Sequence, residues 1–169
     1  MDLRRLRTGE WIAGASGLVL FISLFFPWYR VEDTPAVDIT AFEAFSSFDV
    51  LLVIAAASGM AVFVVTAVQE TPAVGIAVES LVMIVAGVIA ILLIFRVLNM
   101  PGELEAVAGQ PFETVRTAVA WIGLAAAFGV ATGALVAMRD ERLSEPGRLT
   151  DATGLPVDSQ PEVETLPAP

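Results

Sequence analysis

The chain has 169 residues, of which 56% are hydrophobic and 17% are charged, and its mean hydropathy is +0.77. A soluble domain of this length needs a more polar surface, so the composition favours an integral membrane protein. A net charge of −10 without a basic stripe disfavours nucleic-acid binding. Because the chain has no Cys and no His, disulfides, thiol nucleophiles, imidazole bases and thiolate or imidazole metal sites are excluded, and no metal or cofactor is expected.

Four apolar segments meet the length of roughly 20 residues that a helix needs to cross the hydrocarbon core of a bilayer. Bare backbone groups find no partners in lipid, so segments this apolar must be helical if they span. The sequence therefore predicts an all-α, transmembrane four-helix bundle over residues 11–142, preceded by a cytoplasmic amino terminus at residues 1–10. The predicted spans are Trp11–Pro27, Val50–Val68, Pro72–Phe95 and Thr117–Met138.

The first span follows a basic segment that resembles the start of a signal peptide. Its far end, Phe25–Tyr29, consists of bulky aromatic residues and a proline and offers no cleavage site with small residues. We therefore predict an uncleaved signal anchor.

The distribution of arginine predicts the orientation, because cytoplasmic loops are enriched in positive charge. Arg4, Arg5, Arg7, Arg139, Arg142 and Arg148 lie on one side of the spans, and Arg30, Arg96 and Arg116 lie on the other. Both termini are therefore expected in the cytoplasm. Aromatic residues near the span ends are predicted interfacial anchors: Trp11 on the inner side, and Trp28, Tyr29 and Trp121 on the outer side.

The outer loop between the first two spans predicts a short helix lying at the membrane interface. Two residue pairs have the spacing of a capping box: Thr40 with Glu43, and Ser46 with Asp49. Phenylalanines recur at every third position: Phe42, Phe45 and Phe48. Their rings are expected in the lipid or against the bundle; an aromatic binding surface for a partner is the alternative.

The second outer loop has turn signals at Pro101-Gly102 and at Gly109-Gln110-Pro111, with room for a short amphipathic turn between them. The carboxylates of the two outer loops have no calcium-loop spacing, so they predict a solvated acidic surface rather than a cation site. They are Glu32, Asp33, Asp38, Glu43, Glu103, Glu105 and Glu113. Residues 143–169 are rich in Pro, Glu, Asp, Ser and Thr, which predicts a disordered cytoplasmic tail.

Small residues recur at every fourth position and predict where the helices approach each other, because spans in lipid associate through close packing. These strips pack an intramolecular bundle or, alternatively, a homo-oligomer through the glycine pair of the fourth span. The strips are Gly9, Ala13 and Gly17 in the first span, Ala55 and Gly59 in the second, Ala86 and Ala90 in the third, and Ala125, Gly129, Gly133 and Ala137 in the fourth.

Glu79 is the ionisable residue that lies well inside a span, beside Ser80 in the third. A carboxyl group at such depth is costly and is a functional hypothesis by default. It is interpreted either as a proton or cation site facing the bundle interior, with Ser16, Ser58 or Thr66 as neighbours, or as a neutral structural hydrogen-bond donor between helices.

Three features together resemble small, uncharacterised four-span bacterial membrane proteins of the high-GC Gram-positive type. They are Phe26-Pro27-Trp28-Tyr29 at the end of the first span, Ala41–Val50 before the second, and the Gly/Ala-rich fourth span that ends in Arg139-Asp140-Glu141. The resemblance covers residues 10–142. It implies a location in the bacterial plasma membrane and carries no activity.

The first functional hypothesis is a non-catalytic structural or interaction component, whose partners are the lipid bilayer and other membrane proteins or further copies of the chain. The alternative is a small transporter or channel subunit that uses Glu79. An intramembrane enzyme is disfavoured, because the chain has no Lys for a Ser/Lys dyad and no aspartyl pair within the spans.

Overall fold

A computed structural model describes residue 6 and residues 8–31, 38–68, 72–99 and 114–142. The predicted disordered tail, and the predicted amphipathic turn of the second outer loop, lie outside these residues. The elements in chain order are α1 (Thr8–Ser23), β1 (Pro27–Val31), β2 (Asp38–Thr40), α2 (Ala41–Phe45), α3 (Phe48–Val68), α4 (Pro72–Leu98), β3 (Thr114–Arg116) and α5 (Ala118–Arg142).

The described residues are predominantly helical, and they include three helices that are long and apolar enough to cross a membrane. These helices are α3, α4 over Ala77–Leu98, and α5 over Ala118–Arg139. The remaining long helix, α1, is apolar but has only 16 residues. The backbone N–H groups of Leu24, Phe25 and Phe26 bond to carbonyls three residues earlier, at 3.3, 3.2 and 3.1 Å, so a tightened turn continues α1 to Phe26.

The four long helices form a ring in which α1 and α4 are diagonal. Helix α1 packs against α5 and α3, and α4 packs against the same two helices. One end of this bundle holds the start of α1 and the last turns of α5; we call it the terminal end. The opposite end carries β1, β2, β3 and α2, which together we call the cap.

Helices α1 and α5 approach each other through the predicted small-residue strips. A Cβ atom built on Gly9 would collide with the backbone of Ala137, and one on Gly133 would collide with the backbone of Ala13. Both helices therefore meet at backbone distance, in a regular antiparallel register. Both glycines of the α5 strip make their close contacts within the chain: Gly133 lies against Ala13, and Gly129 lies against the side chain of Ser16.

Three other members of the strips lie outside the contact between α1 and α5. A Cβ on Gly17 would lie 2.6 Å from the carbonyl oxygen of Ala56, so Gly17 serves the contact between α1 and α3 instead. Gly59 serves the same contact from the other side, because its Cβ would lie 2.8 Å from the carbonyl oxygen of Ala13. Ala125 is exposed and contributes to the outer face of α5.

The all-α prediction missed a three-stranded antiparallel sheet in the cap, with strand order β2-β1-β3. In the central strand β1, Tyr29 pairs with Ile39 on one side and with Arg116 on the other. The strands are only three to five residues long, and β3 comes from a distant part of the chain. Backbone that leaves a helix bundle still needs hydrogen-bond partners, and this pairing supplies them.

The interior differs along the bundle axis. Toward the cap it is filled by large side chains that are fully buried: Leu20, Leu24, Trp28, Tyr29, Phe45, Leu52 and Leu93. Toward the terminal end it consists of smaller ones: Ala13, Val62, Val82, Ala86, Val130 and Ala134.

Candidate functional site

Two carboxyl groups are buried in the terminal half of the bundle. The Glu79 side chain on α4 is 0% exposed, and that of Glu10 on α1 is 1% exposed. A carboxyl group within a bundle of apolar helices is expensive to keep, and such groups are candidates for proton or ion chemistry. The structure therefore offers a pair of candidate residues where the sequence offered one.

The helix register places Glu10 and Glu79 at about the same level along the bundle axis. The residue before Glu10 lies against Ala137 of α5. The residue after Glu79 is Ser80, whose hydroxyl group donates a hydrogen bond to Sδ of Met138 at 3.1 Å. Ala137 and Met138 are neighbours on α5, which packs against both α1 and α4. The two carboxyl-bearing residues therefore flank α5 close to its end.

Glu10 was missed as a candidate because the first span was predicted to begin at Trp11. The helix begins at Thr8, which brings Glu10 inside it. The sequence spacing does indicate that Glu10 faces the bundle, since Glu10 precedes Ala13, Gly14 and Gly17 by three, four and seven residues. Residues at these separations share one helix face, and that face is the one that packs against α3 and α5.

The three hydroxyl residues considered as neighbours of Glu79 lie at different places. Ser16 contacts Gly129, about 9 Å further along α1 than Glu10 at 1.5 Å per residue. Ser58 donates its hydroxyl proton to the carbonyl oxygen of Ala55 in its own helix, at 2.8 Å. Thr66 is half-buried in the last turns of α3.

Two acidic residues of the loop predicted to lie outside, Asp38 and Glu43, form hydrogen bonds with neighbouring residues. The Nε of Arg30 donates to Oδ1 of Asp38 at 2.9 Å. The backbone N–H and the hydroxyl group of Thr40 both donate to Oε2 of Glu43, at 2.8 and 2.9 Å, and these hydrogen bonds lower the pKa of Glu43. Within the described ranges no group of three or more acidic side chains is placed to hold a metal ion. The other five loop carboxylates lie outside these ranges.

Trp28 and Tyr29 do not face the lipid as the predicted interfacial anchors would; both are fully buried beneath the cap. The reason is that they belong to the central strand of the sheet. The indole Nε1 of Trp28 donates to the carbonyl oxygen of Ser23 at 2.8 Å, and its ring lies where a side chain on Gly123 would be. Thr117 joins β1 to α5, since its backbone N–H donates to the carbonyl oxygen of Trp28 at 2.9 Å.

The other two tryptophans are about half exposed. Trp11, at the terminal end, is 50% exposed and contacts the ring of Phe63 edge-on, with centroids 5.0 Å apart. Trp121, near the start of α5, is 49% exposed. Both side chains lie on the outside of the bundle.

The phenylalanine triad packs against the bundle. Phe45 is fully buried, and its ring meets those of Trp28 and Phe48 edge-on, with centroids 5.3 and 5.9 Å apart. Phe42 lies 5.4 Å from the ring of Phe25 at the end of the first apolar segment. The short helix α2, which carries Phe42 and Phe45, thus covers the end of the bundle, and Phe48 begins α3 beside it.

Of the two proposed helix starts, one lies where a helix begins. Helix α2 begins directly after Thr40. At the second, Ser46 ends α2 with a positive φ of 48°, and α3 begins at Phe48. The carboxylate of Asp49 accepts a hydrogen bond from the backbone N–H of Val50 at 2.6 Å. The backbone N–H of Asp49 donates to the carbonyl oxygen of Ser46 at 3.4 Å, so these two residues meet through the backbone at the start of α3.

Two arginines make contacts at the carboxyl end of α4. The Nε and Nη2 of Arg116 donate to the carbonyl oxygens of Val97 and Leu98, at 2.6 and 2.7 Å. The last carbonyl groups of a helix have no partner within it, and positive charge there is favourable. The guanidinium of Arg96 lies over the ring of Phe48, 5.9 Å from its centroid. Arg116 thus fastens α4 to the cap, and Arg96 contacts the start of α3.

Comparison of the chain with protein-family models, with curated proteins and with solved structures finds no match.

Proposed function

We propose that the chain is a four-span protein of a bacterial plasma membrane, with the cap on the outer face and both termini in the cytoplasm, and that it acts as a non-catalytic structural or interaction component. The proposal includes α1 as the fourth crossing, lengthened by the tightened turn to Phe26. It is supported by the apolar outer faces of the long helices, which carry exposed side chains such as Phe25, Ile84, Phe95 and Ile122.

The observation that carries the proposal is the filled interior beneath the cap. Trp28, Tyr29 and Phe45 are fully buried and continue into the large aliphatic side chains of the helices. An aqueous path requires polar groups along its length, whereas this half of the bundle presents a packed apolar layer. A closed bundle that displays a structured cap is better suited to contacting other molecules than to conducting them.

The topology is tested directly by cysteine labelling, because the native chain has no Cys to remove. Thr34→Cys lies in the outer loop, Ser144→Cys lies in the tail, and Leu20→Cys is buried. A membrane-impermeant maleimide is expected to label the first in intact cells, the second after permeabilisation, and the third in neither condition. Equal labelling of positions 34 and 144 in intact cells would contradict the four-span arrangement.

The interaction role is tested by site-specific photo-cross-linking in native membranes. A photo-reactive amino acid at the exposed residue Ser47, between α2 of the cap and α3, is compared with one at the lipid-facing residue Ile84. We expect one defined cross-linked product from Ser47. The complex without cross-linking should be retained, with the same stoichiometry, during purification in mild detergent. Recovery of the chain only as an isolated monomer from both positions would count against an interaction component.

A transporter that uses Glu79 is the second candidate, and the buried pair of Glu10 and Glu79 is the observation that favours it. Its test is proton flux in proteoliposomes, followed with an internal pH-sensitive dye. This candidate expects a flux that Glu79→Gln and Glu10→Gln each abolish while the variants still fold. If Glu79→Gln leaves folding, assembly and cellular phenotype unchanged, Glu79 has no functional role.

A further inference from the structure

A hydroxyl group is buried beneath the cap without a hydrogen-bond partner among the described residues. It belongs to Tyr29, which is 0% exposed. The ring of Tyr29 packs edge-on against Phe45, with centroids 6.0 Å apart, so its aromatic part has a contact and its hydroxyl group does not. A buried hydroxyl group without a partner is costly, and in native proteins it commonly marks the position of a bound ion or an ordered water.

Two arginines lie beside this hydroxyl group. Strand pairing sets Tyr29 opposite Arg116, so their side chains leave the sheet on the same face, with Cβ atoms about 5 Å apart. Arg116 reaches the last turn of α4, where it donates to the carbonyl oxygens of Val97 and Leu98. Arg96 belongs to that same turn. Both guanidinium groups are close enough to the phenol to oppose the rise in its pKa, so the three groups converge at the end of α4.

Neither of these arginines forms an ion pair within the part of the chain that the structure describes. The ion pair of the cap joins Arg30 to Asp38, and it lies on the other face of the sheet, because Arg30 follows Tyr29 on β1 and neighbouring side chains alternate. A guanidinium group has five N–H donors, of which Arg116 uses two on the carbonyl groups of α4. Positive charge and free donors therefore remain beside the phenol, in a chain that is acidic as a whole.

The surroundings of the phenol favour a small anion. Tyr29 is fully buried, whereas Arg96 and Arg116 are half-buried, so a ligand reaches the phenol from the end of α4 and must fit beneath the sheet. The rings of Phe45 and Phe48 lead from the phenol to Arg96, with successive separations of 6.0, 5.9 and 5.9 Å. These rings offer positive edges but no N–H or O–H donors. A phosphate group needs donors around several oxygen atoms, whereas a halide ion does not.

We propose that a chloride ion binds between the hydroxyl group of Tyr29 and the guanidinium groups of Arg96 and Arg116, beneath the inner face of the sheet. The ion supplies the acceptor that the phenol lacks, and its charge offsets that of the two arginines. The carbonyl groups that end α4 do not repel it, because Arg116 donates to them. The ion thereby joins β1 and β3 to α4. This site goes beyond the proposed interaction role and does not depend on it.

The test compares the purified full-length chain in sodium chloride and in sodium gluconate, in a neutral detergent at constant ionic strength. Binding is followed by the broadening of the chloride magnetic resonance line and by the melting temperature. We expect a saturable rise of the melting temperature in chloride, with one ion per chain. Tyr29→Phe should weaken chloride binding about tenfold, because it removes a hydrogen bond to a charged group, and Arg96→Gln should also weaken it. In gluconate, Tyr29→Phe should melt with the wild-type chain.

Two controls establish the position and the size of the site. Arg30→Gln makes the same charge change on the opposite face of the sheet and should leave chloride binding unchanged. A loss equal to that of Arg96→Gln would show that chloride only screens net positive charge, and displacement of chloride by sodium phosphate would contradict a halide site. Equal melting temperatures of the wild-type chain in chloride and gluconate, or unchanged chloride binding in both Tyr29→Phe and Arg96→Gln, overturns the proposal.

Discussion

The two ends of the bundle are closed in opposite ways. At the cap end, large rings fill the space between the helices, and an extended strand passes over them. At the terminal end, glycine and alanine bring the backbones of α1 and α5 together, with buried carboxyl groups on either side of α5. Substitutions that shorten side chains should therefore destabilise the cap end, and substitutions that enlarge them should destabilise the contact between α1 and α5.

The largest effect is expected from Trp28→Ala. The substitution empties the space between β1, Phe45 and Gly123 and removes the hydrogen bond to the carbonyl oxygen of Ser23. Truncating a fully buried tryptophan costs about 3–5 kcal/mol of the free energy of unfolding. The measurement is SDS-induced unfolding in mixed micelles, followed by circular dichroism. Trp121→Ala, at a half-exposed position, is the control, and an equal loss there would contradict the filled interior.

The opposite substitution tests the other end. In Gly133→Ala the new methyl group meets the backbone of Ala13, which cannot move aside as a side chain can. We expect a loss of about 1–3 kcal/mol, as in other overpacked cores. Gly87→Ala on α4 is the matched control, since a Cβ there meets nothing within 4 Å. It should gain about 0.5–1 kcal/mol, because glycine is unfavourable inside a helix. Changes of the same sign would refute the close approach of α1 and α5.

The contrast also shows what could be predicted from the sequence. The helical segments and the facing strips of α1 and α5 follow from local composition and from a four-residue period, which a single segment carries. The cap depends on pairing between β1 and a strand far along the chain, so no local pattern reveals it.

The burial of individual side chains could likewise be predicted only where it depends on local sequence. Trp and Tyr are residue types typical of interfacial anchors, so the sequence predicted that Trp28 and Tyr29 face the lipid. They are buried because they belong to strand β1, which the sequence analysis did not predict. Glu10 stood one residue outside the predicted span, so its burial depended on a helix boundary. Boundaries are the least certain part of a sequence-based assignment, because helix ends depend on caps and tertiary contacts.

A smaller effect is expected where the cap is fastened to α4. Arg116→Gln removes the charge and the forked hydrogen bonds to the carbonyl oxygens of Val97 and Leu98, for a loss of about 1–2 kcal/mol. Arg96→Gln is the control, since Arg96 contacts the ring of Phe48, and such a contact is worth about 0.5–1 kcal/mol. The same unfolding measurement applies. If the loss for Arg96→Gln is the larger, Arg116 does not cap α4.

The smallest effect at neutral pH concerns Tyr29, which tests whether water is excluded beneath the cap. Burial raises its pKa from 10.0 to about 12, although Arg116 and Arg96 act in the opposite direction. Its hydroxyl group has no hydrogen-bond partner among the described residues. Since Tyr29 is the single tyrosine of the chain, the near-ultraviolet absorbance of tyrosinate reports this residue alone. The titration midpoint of the folded protein should lie near pH 12.

The sign of the stability effect follows from the direction of this shift. The neutral phenol is favoured in the folded state, so its contribution is fully present below the ordinary pKa of 10.0 and is lost as the pH rises toward 12. Tyr29→Phe should remove this alkaline loss of stability and cost nothing at neutral pH, because the hydroxyl makes no bond among the described residues. A midpoint near pH 10 in the folded protein would mean that water reaches the ring, and that the cap end is not sealed as Trp28 and Phe45 imply.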